Sequence, residues 1–305
     1  MHLRWLASGP VSCLHAAQAI VQKRPLADPQ LAAALAPAAE NLQAALLEEW
    51  VPPEAFWNHL IPLAADAVSQ QELARTVLIK SIGHVEAMRR VPRFRDLLAD
   101  LRNAFAAAVP ESDEDLASRG QPLRQQWDYH GAGLLGRVVQ RTEPGVLAEE
   151  ATVVLVYPAL GGDGGAQLSY NLAYMEAVPA NPVAELPEAV RLGWLLSMLN
   201  LDLPRYSENL RPSWLTTVAG LAMIPVVLAA ADEVQLAGCD DQTIGLALRV
   251  WLTPAEKADE WTTALIDWWQ TYRVMRPAWA TALAALERLL DRPEAGARPS
   301  DAEAT

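Results

Sequence analysis

The sequence predicts a mainly α-helical globular protein with one small β-hairpin or small antiparallel sheet, an α+β chain of helical, bundle-like architecture. Three observations predict it. Apolar residues recur at helical spacing through both ends of the chain. One compact Val-rich run, residues 152–157, breaks that pattern in the middle and reads as a buried strand. A glycine-rich stretch follows it directly. With 51% hydrophobic and 20% charged residues the composition is that of a folded protein rather than a disordered one. A chain of 305 residues holds one large domain or two ordinary ones.

The elements are expected in this order. Asp28-Pro29 is an N-cap followed by proline at the first helical position, and Leu31, Leu35, Leu42, Leu46 and Trp50 continue the helical stripe. Pro52-Pro53 breaks it. Residues 54–68 and 71–88 are further helices, and Val91-Pro92 is expected to break the chain again before the stripe Phe94, Leu97, Leu98, Leu101 and Phe105. Residues 110–114 read as an acidic turn and cap, and residues 115–140 as helix interrupted by glycines. The Val-rich strand, the loop Gly161-Gly162-Asp163-Gly164-Gly165, and an alternating run over residues 167–178 then form the expected hairpin. Leu168, Tyr170, Leu172, Tyr174 and Val178 lie on one side of its second strand, and Glu176 falls on that same face.

Helices resume after Asn181-Pro182. Leu192, Leu195, Leu196 and Leu199 mark one. Residues 212–231, uncharged throughout, are read as a core helix kinked at Pro225 rather than a membrane span, because Ser, Thr, Gly and Pro dilute the run and no basic cluster flanks it. Gly238 closes that helix and Asp240 caps the next. Thr253-Pro254-Ala255-Glu256 forms a capping box that opens a helix bearing Trp261, Leu265, Trp268 and Tyr272. A last helix carries Trp279, Leu283, Leu286 and Leu290. The expected organisation is a helical region 1–140, a hairpin-plus-helical region 141–291, continuous with the first or separate from it, and a disordered tail 292–305.

Several function classes recede on composition. A net charge of −13 repels nucleic acid unless a basic patch opposes it. The densest basic run, Arg89, Arg90, Arg93, Arg95 and Arg102, is interrupted by Asp96 and Asp100 and reads as a solvated face. Only Lys23, Lys80 and Lys257 are lysines, a bias that with the abundant alanine indicates a GC-rich bacterial coding sequence. Cys13 and Cys239 are isolated thiols, so the default is a reducing cytoplasm. The N-terminus is too short in its apolar part for a signal peptide, and Pro10 spoils the lipoprotein-like Val11-Ser12-Cys13.

Chemistry-bearing motifs are sparse. His2, His15, His59, His84 and His130 form no metal-binding spacing, and no metal or other cofactor is expected. Neither a GxSxG nor a P-loop Lys-Ser/Thr is present. The candidate ligand or partner contacts are therefore Gly161, Gly162, Asp163, Gly164 and Gly165, with Tyr170 and Glu176 on the following strand. Glycine there permits positive φ and close backbone approach, and a carboxylate on an apolar face needs a partner. With 11 Trp against 3 Phe, the Trp-rich helices are candidates for core packing or for contact with a protein partner or second copy.

The central residues carry a resemblance. Val153-Val154-Leu155-Val156-Tyr157-Pro158, the glycine loop through Ala166, Tyr170-Asn171, Glu176-Ala177-Val178, Asn181-Pro182, Leu186-Pro187-Glu188 and Arg191-Leu192 are similar to a family of uncharacterised bacterial proteins, over residues 121–251. The order strand, glycine loop, strand and helix also resembles a zincin metallopeptidase core. Here Arg191-Leu192-Gly193-Trp194-Leu195-Leu196-Ser197-Met198 holds neither His nor Glu where HExxH would stand, so that resemblance implies a metal-free, inactive core. The expected function is a non-enzymatic helical scaffold or interaction protein. The alternative is an enzyme or small-molecule binder with a pocket near the hairpin.

Overall fold

A computed structural model describes residues 1–67, 69–110, 112–252 and 257–291. The capping box at 253–256 and the tail at 292–305 lie outside the described residues, as does Glu111 of the acidic turn. The chain is mainly helical around a small sheet, as its patterning predicts. Strand β1 (His2–Ala7) leads into α1 (Gly9–Val21). There follow α2 (Pro29–Glu48), α3 (Pro53–Ala64), α4 (Gln70–Ile82), α5 (His84–Ala108), α6 (Ser112–Arg119) and α7 (Gln121–Arg141). Then come β2 (Glu150–Val156), β3 (Gly164–Gln167) and β4 (Leu172–Glu176). Helices α8 (Glu188–Met198), α9 (Pro204–Ser207), α10 (Leu215–Glu233), α11 (Asp241–Trp251), α12 (Ala258–Met275) and α13 (Trp279–Leu290) complete it.

The sheet corrects the expected hairpin. Its order is β1-β2-β4-β3, with β1, β2 and β4 parallel and only β3 antiparallel. The alternating run is not one strand: a 3-10 turn at Leu168–Tyr170 and Asn171, at φ 46°, divide it. The first half, β3, folds back along the outside of the second, so β4 rather than β3 lies beside β2. Strand β1 was not expected at all. Its partner begins at Glu150, and no local turn announces a parallel pairing over that separation.

The sheet separates two cores. Val154, Val156, Leu172 and Tyr174 face helices α1 to α5, while Val153, Leu155, Ala173 and Met175 face α6 to α13. Strands covered on both faces read as continuous apolar runs, which is why β2 was conspicuous. Along the helices the change from one core to the other falls between Phe105 and Leu116.

Local expectations fare unevenly. Asp28 accepts the amide of Gln30 at 2.8 Å and caps α2; Asp240 accepts Thr243 N at 2.7 Å and caps α11. The break expected at Val91-Pro92 falls instead at Gly83, whose φ of 82° ends α4, and α5 runs through Pro92. Trp50 leaves the α2 stripe because the helix ends at Glu48; Trp50 itself takes φ 55° and is 88% exposed. The apolar stretch from Pro212 to Glu233 is the one described segment long and apolar enough to cross a membrane, and it lies mostly inside the fold. Trp261, Trp268, Trp269 and Trp279 are buried within this chain, so the Trp-rich helix faces are spent on its own core.

Candidate functional site at the rim of the sheet

The parallel strands all end on one rim, and the glycine loop lies over it. Strand β1 turns directly into α1, whose first turn is tied to the sheet by two serines. Ser8 Oγ accepts Val11 N at 3.2 Å as the N-cap. Ser12 Oγ donates to Ser8 O at 2.7 Å and accepts Tyr157 N at 2.8 Å, fastening α1 to the end of β2. His15 lies one turn further along the same helix face. The period of β4 places Glu176 on the face with Tyr174, turned toward α1.

These two placements bring His15 and Glu176 together. His15 Nε2 is 2.8 Å from Glu176 Oε1, and both side chains are buried. The same oxygen accepts Leu160 N at 2.7 Å, and Oε2 accepts Gly162 N at 2.7 Å. A carboxylate accepting three hydrogen bonds makes Nε2 the ring nitrogen that carries hydrogen. Glu176 thus occupies the amide cradle that an external anion would need. Gly161 at φ 82° and Gly162 at φ 131° supply the backbone conformations that shape this loop.

The remaining loop glycines answer to packing. A Cβ on Gly162 would sit 2.3 Å from Pro182 Cγ, one on Gly164 2.7 Å from Tyr174 O, and one on Gly165 2.5 Å from Tyr174 Oη. The Asp163 side chain is 13% exposed. Its Oδ2 accepts Arg24 Nη1 at 3.0 Å and lies 4.0 Å from His15 Nε2, while its carbonyl accepts Glu176 N at 2.8 Å. Burial raises the Tyr174 phenol well above its usual range, and Asp163 adds to the rise. Tyr170 goes elsewhere: its hydroxyl is 2.8 Å from His59 Nδ1, and Lys80 lies over its ring. Of the predicted site residues the structure therefore joins the glycines, Asp163 and Glu176, and separates Tyr170.

Two clefts open along β3, the outer strand, the first polar and the second of mixed lining. One of about 240 Å³ is lined by Gln18, Gln22, Arg24, Asn58, Asp163 and Gln167, with Tyr174 and Trp251 as aromatic walls. The other, about 380 Å³, takes in Asn58, His59, Gln167, Ser169, Tyr170 and Asp202. Asn58 and Gln167 line both, so the two clefts adjoin, and together they make a groove region between Arg24 and Asp202. The Trp251 indole N–H is buried and has no hydrogen-bond partner among the described residues.

Behind the rim, on the α8 side, lies a buried pair that the sequence reading quoted only as motif residues. Glu188 and Arg191 are 3.6 Å apart, one turn apart on an otherwise apolar helix. Both Glu188 oxygens and the Arg191 Nε and Nη1 lack hydrogen-bond partners. Burial pushes the Glu188 carboxyl up to about 7; Arg191 opposes the rise, and Glu176 and Asp163 add to it.

His15 and Arg24 escaped the sequence reading because nothing local links them to residues 160–176. Among the described residues no group of three or more His, Cys, Asp or Glu side chains is placed to hold a metal ion. Three arginines of the basic run on α5 are paired: Arg93 with Glu48 and Glu49, Arg90 with Glu49 and Glu86, and Arg95 with Asp96. Compared with protein-family models, curated proteins and solved structures, the chain matches none.

Proposed function

We propose that this chain is a non-enzymatic binding protein whose ligand lies in the groove along β3. The single observation that carries this reading is a pair of adjoining clefts that share Asn58 and Gln167, beside a strand with no strand beyond it among the described residues. The groove offers carboxamides, each both donor and acceptor, and an Arg24–Asp163 pair of zero net charge. Its one imidazole, His59, is tied at Nδ1 to the Tyr170 hydroxyl. Glu176, the carboxylate nearest an imidazole, already accepts three hydrogen bonds and is enclosed. The interaction expected of Trp-rich helices moves in this reading to the sheet edge.

Thermal denaturation against a panel of small polar solutes and short peptides tests it. A ligand of the folded state raises the midpoint saturably. The expected result is such a rise for the parent chain and its loss in an Asn58→Ala/Gln167→Ala double variant. A panel without any rise, or a rise the double variant retains, overturns the reading.

A further inference from the structure

We infer that the groove takes an extended peptide segment bearing a basic side chain, which adds to the sheet as a strand beside β3. The inference rests on the groove being a binding site and names its occupant. Asp163 O accepts Glu176 N one step beyond the Gly164–Met175 pair at the end of the β3–β4 register, so the phase of the ladder sets the two residues opposite each other. In an antiparallel ladder hydrogen-bonded pairs recur every second residue, so Gly165 and Gln167 turn their amides toward β4. Gly164 and Ala166 then point N–H and C=O away from it. Among the described residues no hydrogen bond beyond the ladder involves either one.

An unpaired edge is a template for another strand. Here it is walled. Asn58 and His59 of α3 stand on one side, and Trp251 at the end of α11 on the other. The peptide's charge follows from the end of the groove. Asp202 accepts Ser169 Oγ at 3.4 Å, and no described cation pairs with it. Asp163, at the other end, is already neutralised by Arg24. A Lys or Arg side chain, or a peptide's ammonium terminus, meets an available carboxylate only at Asp202.

Selection of a displayed random hexapeptide library on the full chain tests this, with Ala166→Pro as the counter-selection target. Proline at that position removes an outward N–H and no ladder hydrogen bond. The expected result is enrichment of peptides with Lys or Arg at a fixed position. A synthetic copy should lose at least tenfold in affinity on Ala166→Pro and about fivefold on Asp202→Asn. N-methylation of alternate peptide residues should weaken binding at least tenfold in one register and leave the other unaffected, an arm that uses the unaltered protein if Ala166→Pro does not fold. Absence of enrichment, or binding indifferent to Ala166→Pro and to N-methylation, overturns the peptide. Saturable stabilisation by a non-peptide solute, lost in Asn58→Ala/Gln167→Ala, would overturn it while the groove remained a binding site.

Discussion

His15 and Glu176 meet at 2.8 Å inside the protein although 161 residues separate them. Their contact fastens the first helix to the end of the central strand and, through the other carboxylate bonds, fixes the glycine loop. Removing the carboxylate leaves an imidazole and two amides without acceptors. Glu176→Ala should cost roughly 3 kcal/mol by urea denaturation, the scale of a few unsatisfied buried donors. Hydrogen exchange at Leu160 and Gly162 should quicken in the same variant. Unchanged exchange at both amides would show that the loop is held by something else.

Two glycines at positive φ, Gly83 and Gly162, should differ sharply. Gly83 has φ 82° with nothing within 4 Å of a built Cβ, so Gly83→Ala bears only the conformational penalty, about 1 kcal/mol. Gly162 adds a 2.3 Å clash with Pro182. Gly162→Ala should therefore exceed Gly83→Ala by about 1–3 kcal/mol, as overpacking does. Equal costs in denaturant titrations would deny the close approach of the loop to Pro182.

Glu188 makes stability depend on pH with a definite sign. Its carboxyl is raised in the fold from 4.5 to about 7. The folded state thus holds a proton that the unfolded chain releases. Its stabilising contribution is complete below pH 4.5 and is lost as pH rises through about 7, at most about 3 kcal/mol. Glu188→Gln keeps the neutral form. It should match the parent near pH 4, exceed it at pH 8, and flatten the midpoint-versus-pH curve between. A parent curve already flat over that range would contradict the assignment.

The tryptophans should sort by position rather than by type. Trp279 is 1% exposed and Trp50 88%. Trp279→Ala should cost about 3–5 kcal/mol as a core truncation, and Trp50→Ser within about 0.5 kcal/mol. Acrylamide quenching should find Trp50 far more accessible than the rest. A large stability loss in Trp50→Ser would mean that this side chain is covered.

Neither thiol should react in the native protein at neutral pH. Burial pushes Cys13 up to about 12 and Cys239 up to about 11, leaving almost no thiolate. Labelling with a disulfide reagent should be slow until denaturant is added. Rapid native labelling of Cys13 would imply that α1 opens readily.

Sequence alone carried the helices whose caps and stripes are local, such as Asp28 before α2 and Asp240 before α11. It carried β2 because a strand buried on both faces is apolar throughout. It also marked Glu176, a charge on an apolar face, as a side chain in need of a partner. It could not name His15, because the partner is supplied by a strand-to-helix unit at the far end of the chain. Strand β1 was invisible for the same reason: Leu3-Arg4-Trp5-Leu6 has meaning only beside residues 151–154. The hairpin reading failed where alternation ran across a turn. Leu168 and Tyr170 keep the period of Leu172 and Tyr174, yet the chain reverses between them. Arg24 joined the site through Asp163, a contact with no signal in spacing.

The parallel pairing of β1 with β2 sets a timetable for the chain. On the ribosome the first strand emerges before seven helices and waits for residues 150–156 before it has a neighbour. Closing so long a loop is entropically slow, and contacts of such separation form late. The helices over the first face can pack among themselves during that wait, but Val154, Val156, Leu172 and Tyr174 reach them only afterwards. Until then α1 to α5 show the solvent an apolar surface the size of the sheet. The nascent chain is consequently most prone to aggregate in the interval between making Ala108 and making Glu176, and a pause or truncation there should send it to chaperones rather than to the soluble fold.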